Sequence, residues 1–322
     1  AGGSLKALFE VRDGDNLENF KGKVTKADSY SLTVENTSID NIKSLNLPDK
    51  DGKITVNNIS YSYDSWEAQV DAQGNIKSVT FNLSKDKAIA DPEKTVAEGY
   101  LLNAGSAINA RGIPYYMTQL NEFVRNFSEM FNQIESKGQN LNGDTPPTFF
   151  EAITSTAKVY DFLESEAYSK LPDGQTATIN SSSNTYYRMT AANFSVNKDV
   201  MNDVSLFATA TDYVKTDSCD IVDELKKLQS EKTVYRGDKA ESFLETIISN
   251  VSVDTEKAET YNKLYSNLEQ TIANQRTSVS GVDEDEEALN LVKFQYSHNM
   301  ASKIISVMNQ MLDKLINDTG VA

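Results

Sequence analysis

The chain has 322 residues, 39% of them apolar and 24% charged, with 31 bases against 47 acids for a formal charge of −16. That length is too great for one compact core and suggests about two domains. The charge excludes a nucleic-acid phosphate binder, whose affinity comes from Lys and Arg displacing condensed counterions, and no run reaches the ~18 to 20 apolar residues that would imply membrane insertion.

Residues 4–12 are good helix formers with Leu5, Leu8, Phe9 and Arg12 on one side, which predicts a short helix. From Asp15 to about Asp91 the period changes to two. Tyr30, Leu32 and Val34 alternate with polar residues, as do Ile54 with Val56, and Val79, Phe81 and Leu83, so strands with one buried face are expected. Pro48-Asp49-Lys50-Asp51-Gly52 and Asp71-Ala72-Gln73-Gly74-Asn75 carry turn chemistry. The only tryptophan, Trp66, lies here with Tyr61 and Tyr63. Buried, it anchors a small β core; exposed, the three would be the stacking groups of an adhesin or glycan-binding module.

From Ile113 the period becomes helical. Ile113, Met117, Leu120, Val124, Phe127, Phe131 and Ile134 alternate spacings of four and three, the seam of a coiled coil, with Tyr116, Phe123 and Met130 widening it. Pro114 sits in the first turn, where its missing N–H costs nothing, and Gly138 with the Asn140–Asp144 loop ends the helix. Residues 145–216 read as mixed, helical over 151–168 and with short β-like pieces through Phe207. The final third is helical again: a helix with Ile221, Leu225 and Leu228, one over Lys239–Asn250, and a long one over Asp254–Thr277 with Tyr261, Leu264, Leu268 and Ile272. The last helix opens on five acids, Asp283 to Glu287, at the positive end of its dipole. Beyond them Phe294, Ala301, Met308 and Leu315 recur every seven residues, interleaved with Ile304 and Met311, and Leu291, Ile305 and Leu312 form a second stripe. A rod of roughly 50 Å with two apolar stripes requires partner helices.

The inventory of enzyme parts is nearly empty. A single Cys219 and a single His298 exclude an internal disulfide, the usual zinc sets and His-dependent triads. There is no Gly-rich phosphate loop and no H-E-x-x-H, and the 49–52 segment lacks the Gly and Glu spacing of a calcium loop. No catalytic residue, metal or cofactor is expected, and consecutive acids at 283–287 point in different directions along a helix. The start, Ala1-Gly2-Gly3-Ser4-Leu5, has neither a cationic nor an apolar signal segment; without an initiating Met, a processed product or a piece of something longer is expected.

Residues 278–316, SVSGVDEDEEALNLVKFQYSHNMASKIISVMNQMLDKLI, resemble the C-terminal signature of the flagellar axial proteins, and within that family its hook-associated members. Ser280-Gly281-Val282, the Glu286-Glu287 pair, Gln295, Ala301 and Lys303-Ile304-Ile305 fall where the signature has them. GGSLKALFEVRD at 2–13, IPYYMTQLNEFVRNFSEMFNQI at 113–134, YYRMTAANFSVN at 186–197, LKKLQS at 225–230 and FLETIISNV at 243–251 are similar too. The resemblance implies a non-enzymatic structural subunit joining hook to filament, exported by the flagellar type III system without a cleaved signal and assembled outside the cell. Its implied partners are further copies of itself, hook protein, a second junction protein and an export chaperone. The neighbouring alternative is another axial protein, a hook protein or flagellin-like chain. The implied fold is α+β and multidomain, with long coiled-coil-like helices forming a rod domain and β-rich outer domains inserted into it. Residues 1–13 would start the rod domain, 14–112 form an inserted outer domain, 113–144 supply the long rod helix, 145–216 a second outer domain, 217–281 the return helices and 282–322 an inner-tube helix. By that resemblance, the N-terminal helical region that pairs with the last helix in family members would precede Ala1. Ser297-His298-Asn299-Met300 departs from the signature, leaving His298 a surface or packing residue.

Overall fold

The computed structural model describes residues 3–85, 88–90, 92, 96, 98–154, 158–160, 162, 168–214 and 218–317. The chain divides into two units, Ala1–Ile248 and Ser249–Ala322.

In the first unit, helix α1 (Gly3–Asp13) is followed by strands β1 (Lys21–Asp28), β2 (Ser31–Glu35), β3 (Gly52–Val56), β4 (Ile59–Val70), β5 (Ile76–Leu83) and β6 (Leu101–Ala104). All their pairings are antiparallel, in the order β3-β6-β1-β2-β5-β4, and β3 also pairs with β4. The six strands therefore close into a barrel. The alternation that marks the strands is the alternation that fills it. Leu32, Val34, Ile54, Val56, Val79 and Phe81 all point inward and are buried, whereas Tyr30 lies outside, exposed, before β2 begins. Two turns set the register. Asn57 and Asn58 both take left-handed φ, 49° and 61°, the two-residue hairpin that matches strand twist. Between β4 and β5 the Asp71 carboxylate accepts the N–H groups of Gln73 and Asn75 at 3.0 and 2.8 Å. Gly52 is required for space, since a Cβ there would enter the Tyr63 ring.

Trp66 is completely buried and sits edge-on to Tyr187 at 4.9 Å; Tyr63 packs on Phe81 at 5.1 Å. Tyr61 is buried as well, so none of the three offers a stacking face to solvent. Trp66 emission should accordingly be blue-shifted and inaccessible to iodide; red-shifted, quenchable emission would contradict a closed barrel.

Helix α2 (Ile113–Glu135) crosses the unit and organises what surrounds it. Strands β7 (Phe150–Ala152) and β9 (Phe194–Val196) pair beside it, and β8 (Ala177–Asn180) adds to the second half of the twelve-residue β4. A short helix α3 (Lys198–Asn202), helix α4 (Asp220–Ser230) and a hairpin of β10 (Thr233–Tyr235) and β11 (Asp238–Lys239) complete the unit. The helix expected over 151–168 begins instead as strand β7, with an isolated bridge between Ile153 and Val159; residues 155–157, 161 and 163–167 of that span lie outside the described residues.

Helices α5 (Ala240–Ser280) and α6 (Glu284–Asn317) follow. The sequence suggested two helices with a break near residues 250–254. One 41-residue helix forms because no Gly or Pro interrupts the hydrogen-bond ladder there. It stops at Gly281, whose N–H donates to the Thr277 carbonyl at 2.7 Å.

The fold class read from the heptads is corrected by these observations. The β part is a closed barrel, and among the described residues no coiled-coil rod domain is formed. Three features of the packing explain why. The 23-residue α2 faces the 11-residue α4, strand β7 and a hairpin, too little helix to supply holes along a seam. Most of the residues that α2 buries are polar, among them Gln119, Glu122, Arg125, Ser128, Glu129 and Asn132. Helix α6 has no buried residue at all. A 4-3 spacing states which residues share a stripe, not which stripe finds a partner.

Candidate functional site

Thirty-four residues make α6 roughly 50 Å long. Its start is well specified. The Asp283 carboxylate accepts the N–H groups of Asp285 and Glu286 at 3.0 and 3.3 Å, capping free donors. Glu284 to Glu287 fill the first turn, and Lys314 lies in the last, each matched to the dipole end it occupies. Between those ends the stripes read from sequence are open to water. Phe294 is 75% exposed and Ile304 58%, and Leu291, Ala301, Ile305, Met308, Met311, Leu312 and Leu315 are exposed too. So are Leu289, Val292, Tyr296, Met300 and Val307. A helix this apolar on this much of its circumference is of the kind ordinarily covered by other chain. Helix α5 shows the same character in weaker form, with Tyr261, Leu264, Leu268 and Ile272 exposed and only Ala240 and Phe243 buried.

The stripe on α2 is placed differently. Ile113 is exposed, Met117, Leu120, Val124, Phe127 and Phe131 are half-buried, and Ile134 is buried. Phe123, Phe127 and Phe131 form a run of ring contacts that continues to Phe243 at 5.1 Å on one side and to Phe150 at 4.7 Å on the other. Ile134 joins Ile221 and Leu228 of α4 and Val234 of β10.

The family described as Flagellar basal body rod FlgEFG protein C-terminal matches residues 273–318. That range holds the end of α5, the Gly281 break and all of α6. Flagellar hook-associated protein 1 of Bacillus subtilis (strain 168) is 32% identical over 78 residues, 23% of this chain and 15% of that protein's length. Residues 273–318 are thus similar to the C-terminal region of the flagellar axial proteins. The family match thus coincides with the segment whose apolar residues are all exposed, and the acids that cap α6 and the stripes behind them fall inside it.

Elsewhere the chain is held together by polar contacts that periodicity did not reveal. Arg125, 2% exposed, donates from Nε to the Met189 carbonyl at 2.9 Å and from Nη1 to the Lys43 and Leu45 carbonyls at 2.8 and 2.7 Å, with its guanidinium 4.6 Å from the Tyr187 ring centre. Burial pulls it down to about 10, which leaves it charged at neutral pH. Asn132 donates to the Phe150 carbonyl and accepts its N–H, both at 2.9 Å, and Glu129 pairs with Lys43. Arg236 of the β10–β11 turn reaches Glu122 of α2 at 3.3 Å and Glu18 at 3.4 Å. The available signal was a polar run at the spacing of α2, Glu122-Arg125-Glu129-Asn132, opposite the apolar seam. Among the described residues no group of three or more His, Cys, Asp or Glu side chains is placed to hold a metal, and no helix is long and apolar enough to cross a membrane.

Proposed function

We propose that this chain is a structural subunit of the bacterial flagellum that joins hook to filament, its α6 stripes covered by neighbouring subunits. The observation that carries the reading is the exposure of the whole apolar surface of α6 within the segment shared with the axial family. Leu291, Phe294, Ala301, Ile304, Ile305, Met308, Met311, Leu312 and Leu315 are the packing residues in this reading. The likeness to a hook-associated protein favours the junction over the hook or filament proper. Further copies of this chain, hook protein and a second junction protein are then its neighbours, an export chaperone accompanies it to the type III apparatus, and its final location is extracellular. Residues 14–112 form an outer domain, and the polymer accommodates it because loops and inserted domains on an outer surface leave lateral packing untouched.

Electron microscopy of cells lacking the protein tests the assignment. Hooks without filaments, with flagellin shed into the medium, are the expected result. Hooks that still carry filaments would place the subunit elsewhere.

A further inference from the structure

Glu135, the last residue of α2, is 1% exposed, and neither carboxyl oxygen accepts a well-formed hydrogen bond. The Ala208 backbone N–H favours its ionised form. The side chain lines a cleft of about 110 Å³ shared with Asn132, Ser136, Thr148 and Tyr186. Next to it the chain is tightly clamped. A Cβ on Gly138 would meet Ala208 Cβ at 2.6 Å and the Ala210 carbonyl and Ile221 at 3.0 Å, and the Gln139 N–H donates to the Ala210 carbonyl at 3.0 Å.

The surrounding charges are already committed. On α2 itself Glu129 is paired with Lys43, and just beyond its end Lys137 lies 3.5 Å from Glu224 of α4. Asp220 of α4 is held by Thr211 and Ser218. Lys227 lies with Asp223 and Glu224 around a separate cleft. Glu151 of β7 is a further acid, and the Tyr186 hydroxyl accepts from Asn132 at 2.9 Å. Among the described residues no cation lines the cleft at the Glu135 carboxyl, and the negative end of the α2 dipole adds to the cost of ionising it.

We propose that the clamp between the C-terminal end of α2 and the 208–210 segment is a proton-operated latch. It is closed while Glu135 carries its proton and opens to water when that proton is lost to solvent. Desolvation pushes this carboxyl up to about 7, so the transition falls in the neutral range. Because the closed state holds a proton that the hydrated, open state releases from near 4.5, the closed form is favoured below the lower value and loses ground as pH rises to the upper one. Opening separates Ile134 and Gly138 from Ile221, so it loosens α2 from α4.

Hydrogen exchange of the full chain, corrected for intrinsic rates, reads this directly. Between pH 5.5 and 8.5 the opening equilibrium of amides in 134–140 and 206–212 should rise about 30-fold, while barrel amides stay unchanged. Glu135→Gln should hold those segments protected at both pH values. Equal protection of the wild type at both pH values overturns the latch, as does an unaltered pH response in the Gln variant. If that variant does not fold, carbon-13 NMR titration of the wild-type carboxyl decides: a midpoint near neutrality upholds the latch, and one below about 5 overturns it.

Discussion

Replacing Ile304 or Met308 by Asp is expected to abolish incorporation into flagella while leaving the isolated chain folded. In the single chain each side chain is more than half exposed, and α6 has no buried residue, so the substitution opens no cavity in a core. The remaining cost to the monomer is the lower helix propensity of Asp, some tenths of a kcal/mol. In an assembly that covers the stripe the balance is different. Losing a buried aliphatic side chain costs about 2 kcal/mol at ~25 cal/mol per Å², and placing a carboxylate in the same contact adds the cost of burying an unpaired charge. Every subunit repeats the defect, so the polymer does not form. Ser306→Asp, about 200° around the helix from Ile304, serves as the control and should assemble more readily. The measurements are circular dichroism on purified chains and electron microscopy with motility for cells carrying each variant. Wild-type filaments with Ile304→Asp would show that the stripe is not an interface.

What was legible in the sequence followed from local rules, and what was not followed from distance. The strands around Leu32, Ile54 and Phe81 were readable because one face is wet and the other dry, and the turn at Asp71 because its carboxylate bonds its own backbone. Barrel closure was not readable. It depends on β3 meeting both β4 and β6, and β6, with Leu101 outside and Leu102 inside, is four residues long and lacks an alternating run. Nor was the addition of β8, whose partner in β4 lies about a hundred residues earlier. On α2 the apolar spacing was real, but hydrophobic pattern was taken to mean burial. There the burial is decided by Arg125 and Asn132, whose donors reach backbone carbonyls that would otherwise be left bare. The α6 stripes lie exposed, and exposure alone does not say what covers them. Glu135 carried one weak cue, an acid in the last turn of a helix, where the dipole disfavours it.

Removing the guanidinium of Arg125 is the substitution expected to cost the first unit most. Arg125→Ala withdraws donors from the Met189, Lys43 and Leu45 carbonyls together and leaves a space beside Tyr187. Buried acceptors left without partners cost about 1 to 3 kcal/mol each, although relaxation and entering water recover part of that when they share one cavity. A total of about 4 kcal/mol is expected, of the size seen when one member of a buried charged network is removed. For a unit of this length that corresponds to a fall in Tm of roughly 8 to 16 °C. Arg125→Lys should recover only part of it. An ammonium keeps the charge, but a single nitrogen cannot reproduce a planar fork that bonds the 43–45 turn on one edge and the 189 segment on the other. Trp66, 4.9 Å from the Tyr187 ring that Arg125 covers, reports the change through its fluorescence during thermal unfolding. A loss below about 1 kcal/mol for Arg125→Ala would mean that α2 is fixed by its half-buried Phe ladder instead, and that its polar face contributes orientation without stability.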